Sequence, residues 1–269
     1  MQLTIVGSSG SVSGPSSPAS SYLVQAPYEG RTFSLVLDLG PGAFGALYRY
    51  LEPCELDAVG LSHLHPDHCA DLSGLYVAAR YAPTAPWPRI PVYGPAGTPE
   101  RLARAYEVDG AAEPGLSIAA WFDHRVWQPV QTIGPFTVRS CRVAHPVEAY
   151  AVRVDEDRPG GGSLVFSGDT GSTPVLAELA RGADLLLSEA AFLVGPDNPP
   201  GLHLTGADAA AAADQAGVEL LVLTHIPPWH DPERVLAEAR QVRQGPIELA
   251  TAGLRWTIGD VAVASGHET

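Results

Sequence analysis

Six residues, His63-Leu64-His65-Pro66-Asp67-His68, constrain this chain more than any other stretch. Three imidazoles and a carboxylate follow directly on the apolar run 56–61, which reads as the strand that delivers them. His63 and His65 are two apart, so on extended backbone they point the same way and can share one ion. Pro66 turns the chain, which lets Asp67 and His68 reach a second ion nearby. Neutral imidazoles with a carboxylate are what zinc and similar divalent metals accept, and N/O ligation with open positions favours catalysis over structure. Four fixed positions in six make this pattern far more specific than a histidine pair.

Further candidates stand where other strands end. The runs 137–144, 164–167, 183–187 and 220–224 read as strands, followed in turn by His145, Asp169 in Gly-Asp-Thr-Gly, Glu189 and His225. Rigid strand ends aim side chains into a shared crevice. Taken singly, a histidine before proline is commonly a capped loop residue, and Asp in Gly-Asp-Thr-Gly a turn former. Beside the histidine cluster the balance reverses, because these residues complete two coordination spheres.

The rest of the chain frames that centre. Residues 3–6 and 21–25 read as strands around a Gly/Ser/Pro-rich loop, 7–20, which is either a backbone nest for phosphate or a plain connection. A strand over 33–39 ends in Asp38-Leu39-Gly40-Pro41-Gly42, a strand-to-turn signal. Spacing predicts helices over 43–51, 71–81, 99–107, 174–181, 207–215 and 232–242, with Thr205 as a cap for the fifth. The Pro-rich segment 81–95, with Trp87, is a surface crossing or a lid, the crossing being favoured; 109–115 is a loose loop. Two strands are expected within 126–143, meeting at Ile133-Gly134-Pro135-Phe136, and 150–154 should pair with 164–167. Segments 247–251 and 255–258 read as closing strands of the second half. No linker separates the halves. The expectation is one α/β domain over 1–269, an αββα sandwich of two packed mixed β-sheets with helices outside.

At 269 residues, 45% apolar and 17% charged, the chain can bury a large core. It has no uninterrupted apolar stretch near 18 residues, so no membrane span is expected, and the absence of an export signal points to the cytoplasm. Cys54, Cys69 and Cys141, odd in number and far apart, fit reduced thiols there, with Cys69 packed beside the site rather than ligating. The net charge is −14, every basic residue is an arginine, and no basic run is visible. Stable tRNA or DNA binding is therefore not expected. A small anionic substrate is allowed, because bound dications dominate the field inside a site.

In this order, His63-x-His65-x-Asp67-His68, His145, Gly168-Asp169-Thr170 and Thr224-His225 resemble the metallo-β-lactamase superfamily over nearly the whole chain. Ser188-Glu189-Ala190 and His203-Leu204-Thr205 are similar to the Glu and His motifs of its tRNase Z branch. Gly-Ser-Ser-Gly-Ser-Val near the start, Ala144-His145-Pro146 and His225-Ile226-Pro227-Pro228-Trp229 resemble the atypical, class II-like cyclic-nucleotide phosphodiesterases of actinobacteria. The resemblance implies a homodimer with two divalent ions in each chain, zinc in the first place and manganese or iron as alternatives. His63, His65 and His145 would hold one ion, Asp67, His68 and His225 the other, with Asp169 bridging. Water activated there attacks phosphorus in line, Asp67 orients it, and His203, steered by Glu189, protonates the departing alkoxide.

The chain departs from tRNase Z in two respects that matter. Only 23 residues separate His145 from Asp169, and 19 separate Asp169 from Glu189, which leaves no room for the long basic arm that clamps tRNA. The arginine usual in that family's N-terminal loop is missing from 16–21. The expected function is hydrolysis of a small cyclic nucleotide such as 3′,5′-cAMP. The alternatives are an arm-less RNA 3′-end nuclease, a two-metal hydrolase of a thioester, lactone or aryl sulfate, and a non-enzymatic metal-binding module.

Overall fold

The computed structural model describes residues 1–106 and 117–259 and the strand Ala264–Gly266; the expected loop 109–115 lies outside the described residues. One sheet contains β1 (Gln2–Gly7), β2 (Ser21–Tyr28), β3 (Arg31–Leu37), β4 (Ala58–Gly60), β5 (Ile90–Gly94) and β6 (Phe122–Val126). The second contains β7 (Val130–Ile133), β8 (Phe136–Arg142), β9 (Tyr150–Glu156), β10 (Ser163–Phe166), β11 (Leu185–Glu189), β12 (Leu220–Thr224) and β13 (Ile247–Leu249). Two late strands, β14 (Arg255–Thr257) and β15 (Ala264–Gly266), return to the first sheet, giving β15-β14-β1-β2-β3-β4-β5-β6 against β13-β12-β11-β10-β9-β8-β7. Both sheets are mixed. Pairing is parallel from β3 to β6 and from β10 to β13, and antiparallel elsewhere.

The central strands are buried on both faces, which explains near-continuous apolar runs such as Leu185-Leu186-Leu187. With period two, Leu185 and Leu187, Leu164 and Phe166, and Leu35 and Leu37 enter the core shared by the two sheets. Leu186, Val165 and Val36 point outward to the helices instead. The helices α1 (Ala43–Leu47) and α3 (Leu72–Tyr81) cover the first sheet, together with α4 (Thr98–Tyr106). Between the first two lies α2 (Pro66–Cys69), a single turn that carries part of the site. On α3 the buried residues are Leu72, Leu75, Tyr76 and Ala79, the apolar face expected from the spacing.

The second sheet is covered by α5 (Pro174–Ala180), α6 (Gly206–Ala216) and α7 (Pro232–Val242). Thr205 begins α6 with a capping box, accepting from Asp208 N at 3.1 Å while Asp208 Oδ2 accepts from Thr205 N at 3.0 Å. The αββα sandwich expected from the sequence is the fold observed, with three differences. The helix over 43–51 stops at Leu47. The strands β5, β6 and β15 are not among those expected from the sequence, β5 because its Ile90-Pro91-Val92 start lies inside the Pro-rich crossing. Of the closing strands, only β13 stays with the second sheet.

The return of β14 has a physical cause. Leu3 of β1 pairs with Trp256, whose side chain is 1% exposed in the shared core, and its indole donates to Glu248 Oε2 at 3.2 Å. The segment 81–95 crosses the end where β5 begins. There Trp87 and Pro91 line a hollow of about 1020 Å³ with Met1, Asp57 and Glu156; because β5 is parallel to β4, this hollow lies at the end of the sheet opposite the His63–His68 loop. Among the described residues no helix is long and apolar enough to span a membrane. Trp256→Ala should lower stability by about 3–5 kcal/mol through the cavity it leaves. Urea unfolding measures this, and an unchanged midpoint would contradict the anchoring of β14 to the core.

Candidate metal centre

Strand direction brings the candidate residues to one end of the sandwich. The C-terminal ends of β4, β8, β10, β11 and β12 lie at this end, because β8 and β10 are both antiparallel to β9 and β10–β12 are parallel. Two groups of potential ligands form there, His63/His65/His145 and Asp67/His68/Asp169/His225, and a third joins Asp169 to Glu189 and His203.

In the first group, His63 Nε2 and His65 Nδ1 are 3.0 Å apart, and His65 Nδ1 and His145 Nε2 3.3 Å. Burial lowers the pKa of all three imidazoles, most strongly that of His63, so each presents a neutral ring. Tetrahedral bonds of 2.0–2.1 Å separate neighbouring ligand nitrogens by about 3.4 Å, close to the spacing here. His65 would donate through Nδ1, its two neighbours through Nε2.

In the second group, His68 Nε2 is 3.3 Å from both Asp67 Oδ2 and Asp169 Oδ1. His225 Nε2 is 3.3 Å from Asp169 Oδ2 and 3.7 Å from Asp67 Oδ2. Asp169 Oδ2 also lies 3.7 Å from His63 Nε2, so this carboxylate stands between the groups. Burial alone would raise Asp67 and Asp169, but the imidazoles of His68 and His225 outweigh it and hold both carboxyls below their usual range. Burial pushes His225 down, to about 4.

Three atoms here decide whether a metal fits. His68 Nε2, Asp169 Oδ1 and His225 Nε2 are buried with no hydrogen-bond partner. An orphaned buried polar atom costs about 1–3 kcal/mol, and three converging on one point form the donor set of a divalent cation. The residues fit the group.

The opposite ring nitrogens are tied to the frame. Ser62 Oγ lies 3.1 Å from His63 Nδ1, Leu202 O 3.0 Å from His145 Nδ1, and Asp38 Oδ2 2.7 Å from His68 Nδ1. Such outer contacts fix tautomer and ring orientation. Asp38 is fully buried at φ 57° just beyond β3, and it also accepts from Ser62 N at 2.6 Å and Ser62 Oγ at 2.7 Å. The sequence marks it only as part of a turn, although it stands at a strand end as His145, Asp169, Glu189 and His225 do. Gly40 lets this turn press on the histidine loop, since a Cβ there would meet Asp67 O at 2.0 Å.

His203 leans over the cluster, its ring centroid 5.7 Å from those of both His145 and His225 and 5.0 Å from Phe192. His203 Nδ1 is 3.0 Å from Glu189 Oε1, which also accepts from Thr170 N at 2.8 Å. Burial raises Glu189 to about 7; its carboxylate in turn outweighs the burial of His203 and raises the imidazole. Cys69 packs in the core with its thiol directed at His65 O, 3.3 Å away, and belongs to none of the three groups. His124 donates from Nε2 to Ala119 O at 2.9 Å, away from the centre.

A fold and a site of this kind define a metal-dependent hydrolase. Residues 34–226 match the β-lactamase superfamily domain, and the chain belongs to that family. It is 46% identical over 256 residues to an uncharacterized protein of Mycobacterium leprae, covering 94% of this chain and 87% of that one. It is 29% identical over 260 residues to the probable metallo-hydrolase YhfI of Bacillus subtilis, covering 95% and 99%. The YhfI crystal structure superposes with a TM-score of 0.81 at 28% identity over 95% of this chain and 99% of that one. Ribonuclease Z of Myxococcus xanthus is 28% identical over 276 residues, covering 81% and 86%. The fold is the metallo-β-lactamase fold.

His63→Ala and Asp169→Ala should each lower bound metal and hydrolytic activity together, because each removes a donor from the converging set. Elemental analysis beside an ester assay checks this; full metal content with unchanged turnover in both variants would contradict the assignment.

Proposed function

We propose that this chain is a dinuclear phosphodiesterase that hydrolyses a small cyclic nucleotide such as 3′,5′-cAMP. His63, His65 and His145 hold one divalent ion, Asp67, His68 and His225 the other, and Asp169 is shared; zinc is the first choice, with manganese or iron as alternatives. When bound, the ions supply Lewis acidity and water that is nucleophilic at neutral pH. Asp67, at the rim of the second group, orients that water toward phosphorus.

The observation that carries the reading is the His203–Glu189 pair, which seven metal ligands do not require. A phosphodiester with an alkyl leaving group needs a proton on the departing oxygen, and an imidazole is the usual donor near neutral pH. Glu189 accepts the Nδ1–H of His203, which fixes the tautomer and leaves Nε2 to serve the leaving group. The proposal extends to a cytoplasmic homodimer of single-domain chains. Light scattering that gave one monomer mass would remove the dimer.

A nuclease is the second reading, favoured by the identity to ribonuclease Z. The connections work against it: between His145 and Asp169 the chain forms only β9, a turn and β10. Little affinity for tRNA is expected, and a gel shift at moderate salt showing tight, salt-sensitive binding would promote the nuclease instead.

The leaving group supplies the decisive test. With His203→Ala, metal content should stay whole while 3′,5′-cAMP turnover falls by ~10²–10⁴. Bis-p-nitrophenyl phosphate should lose far less, because p-nitrophenolate departs without a proton. Equal losses on both substrates would defeat the general-acid role.

A further inference from the structure

The fourth Nε2 donor, His225, is held in a different way from the others. It follows β12 directly and adopts left-handed backbone, φ 56°, which a non-glycine residue keeps only where its surroundings enforce it. The enforcing element is the 7–20 loop. Gly10 N donates to Ile226 O at 3.2 Å, and Ser9 bridges to both Ala19 and Ile226. A Cβ at Gly10 would lie 2.1 Å from His225 O, so this close approach requires glycine.

From the end of that loop, Ser20 Oγ reaches His225 Nδ1 at 2.8 Å, with Ser20 0% and His225 1% exposed. Tyr22 donates to Ser20 Oγ at 3.4 Å and lies 2.9 Å from Thr224 Oγ1. Ser20 and Tyr22 belong to the first-sheet side, Thr224 and His225 to the second, so this hydroxyl chain stitches the sheets together beside the site.

The chemistry of His225 makes that contact consequential. Its Nε2 is buried and unpartnered, 3.3 Å from Asp169 Oδ2. To donate a lone pair from Nε2, the ring must carry its proton on Nδ1, where Ser20 Oγ is the acceptor. Asp38 and Leu202 offer His68 and His145 atoms that only accept, and the Ser62 hydroxyl beside His63 spends its proton on Asp38 Oδ2 and so accepts as well. A serine hydroxyl can play either role; with the His225 Nε2 lone pair committed to the ion, the proton sits on Nδ1 and Ser20 Oγ is the acceptor, whichever partner the Tyr22 hydroxyl serves. We propose that Ser20 is the positioning residue of His225: it fixes the Nδ1–H tautomer and turns Nε2 toward the second ion, an assignment that rests on the two-ion reading.

The test compares Ser20→Ala with Ser21→Ala. Ser21 is equally buried, but its hydroxyl has no hydrogen-bond partner and serves as the control for loss of a buried oxygen. Metal-free protein is titrated with zinc against a chromophoric chelator. Wild type and Ser21→Ala should bind two ions alike. Ser20→Ala should keep the first and bind the second about 10–100-fold more weakly, the usual loss for an outer-contact partner. A purely structural role would not weaken one ion selectively. Two ions bound normally by Ser20→Ala, equal weakening of both ions, or the same loss in Ser21→Ala would overturn the proposal. A wild-type protein that takes up one ion defeats the dinuclear reading. The Ser20 assignment then stands only if Ser20→Ala, and not Ser21→Ala, weakens that ion.

Discussion

The structure depends on the convergence of unpartnered donors at the C-terminal ends of its strands. Buried polar groups are normally satisfied within a protein, because the low dielectric makes an orphan costly. Here His68 Nε2, Asp169 Oδ1 and His225 Nε2 are buried together without partners, while His63, His65 and His145 crowd three ring nitrogens into one small volume. Only a tightly packed frame holds such an arrangement together. The shared core beneath it, built from Tyr22, Leu37, Phe166, Leu187 and Val222, supplies that rigidity.

The frame is as specific as the ligands. Four imidazoles have their second nitrogen bonded, to Ser62, Asp38, Leu202 and Ser20, and these partners come from both sides of the sandwich. His65 is the exception, since its Nδ1 faces the cluster. The centre is thereby coupled to the packing of the two sheets: a shift between them would misdirect His225 through Ser20, the one of these four contacts that crosses from the first-sheet side to the second. The left-handed backbone of Asp38 and His225 belongs to the same constraint, local strain maintained where it aims a side chain.

Much of this was legible in the sequence. Short continuous apolar runs marked β10, β11 and β12, and the strand-end rule brought His145, Asp169, Glu189 and His225 to the end where His63–His68 lies. What stayed hidden has physical causes. Trp256 could pair with either sheet edge as far as periodicity goes, and only burial against β1 decides for the first sheet. Proline content disguised β5, because its parallel pairing with β4 relies on Val92 and Tyr93. Asp38, Ser20 and Ser62 act through single hydrogen bonds to residues far off in sequence, and no local pattern announces such a contact. The pairing of His203 with Glu189 was expected from motif resemblance, and the 3.0 Å contact gives it a geometry.

The central claim is that the two donor groups hold two separate ions sharing Asp169. Anomalous diffraction at the zinc edge from crystals grown with zinc tests it most directly. The account predicts two peaks in each chain, one bounded by His63, His65 and His145 and one by Asp67, His68 and His225, with Asp169 touching both. A single peak, or peaks away from these side chains, would contradict it.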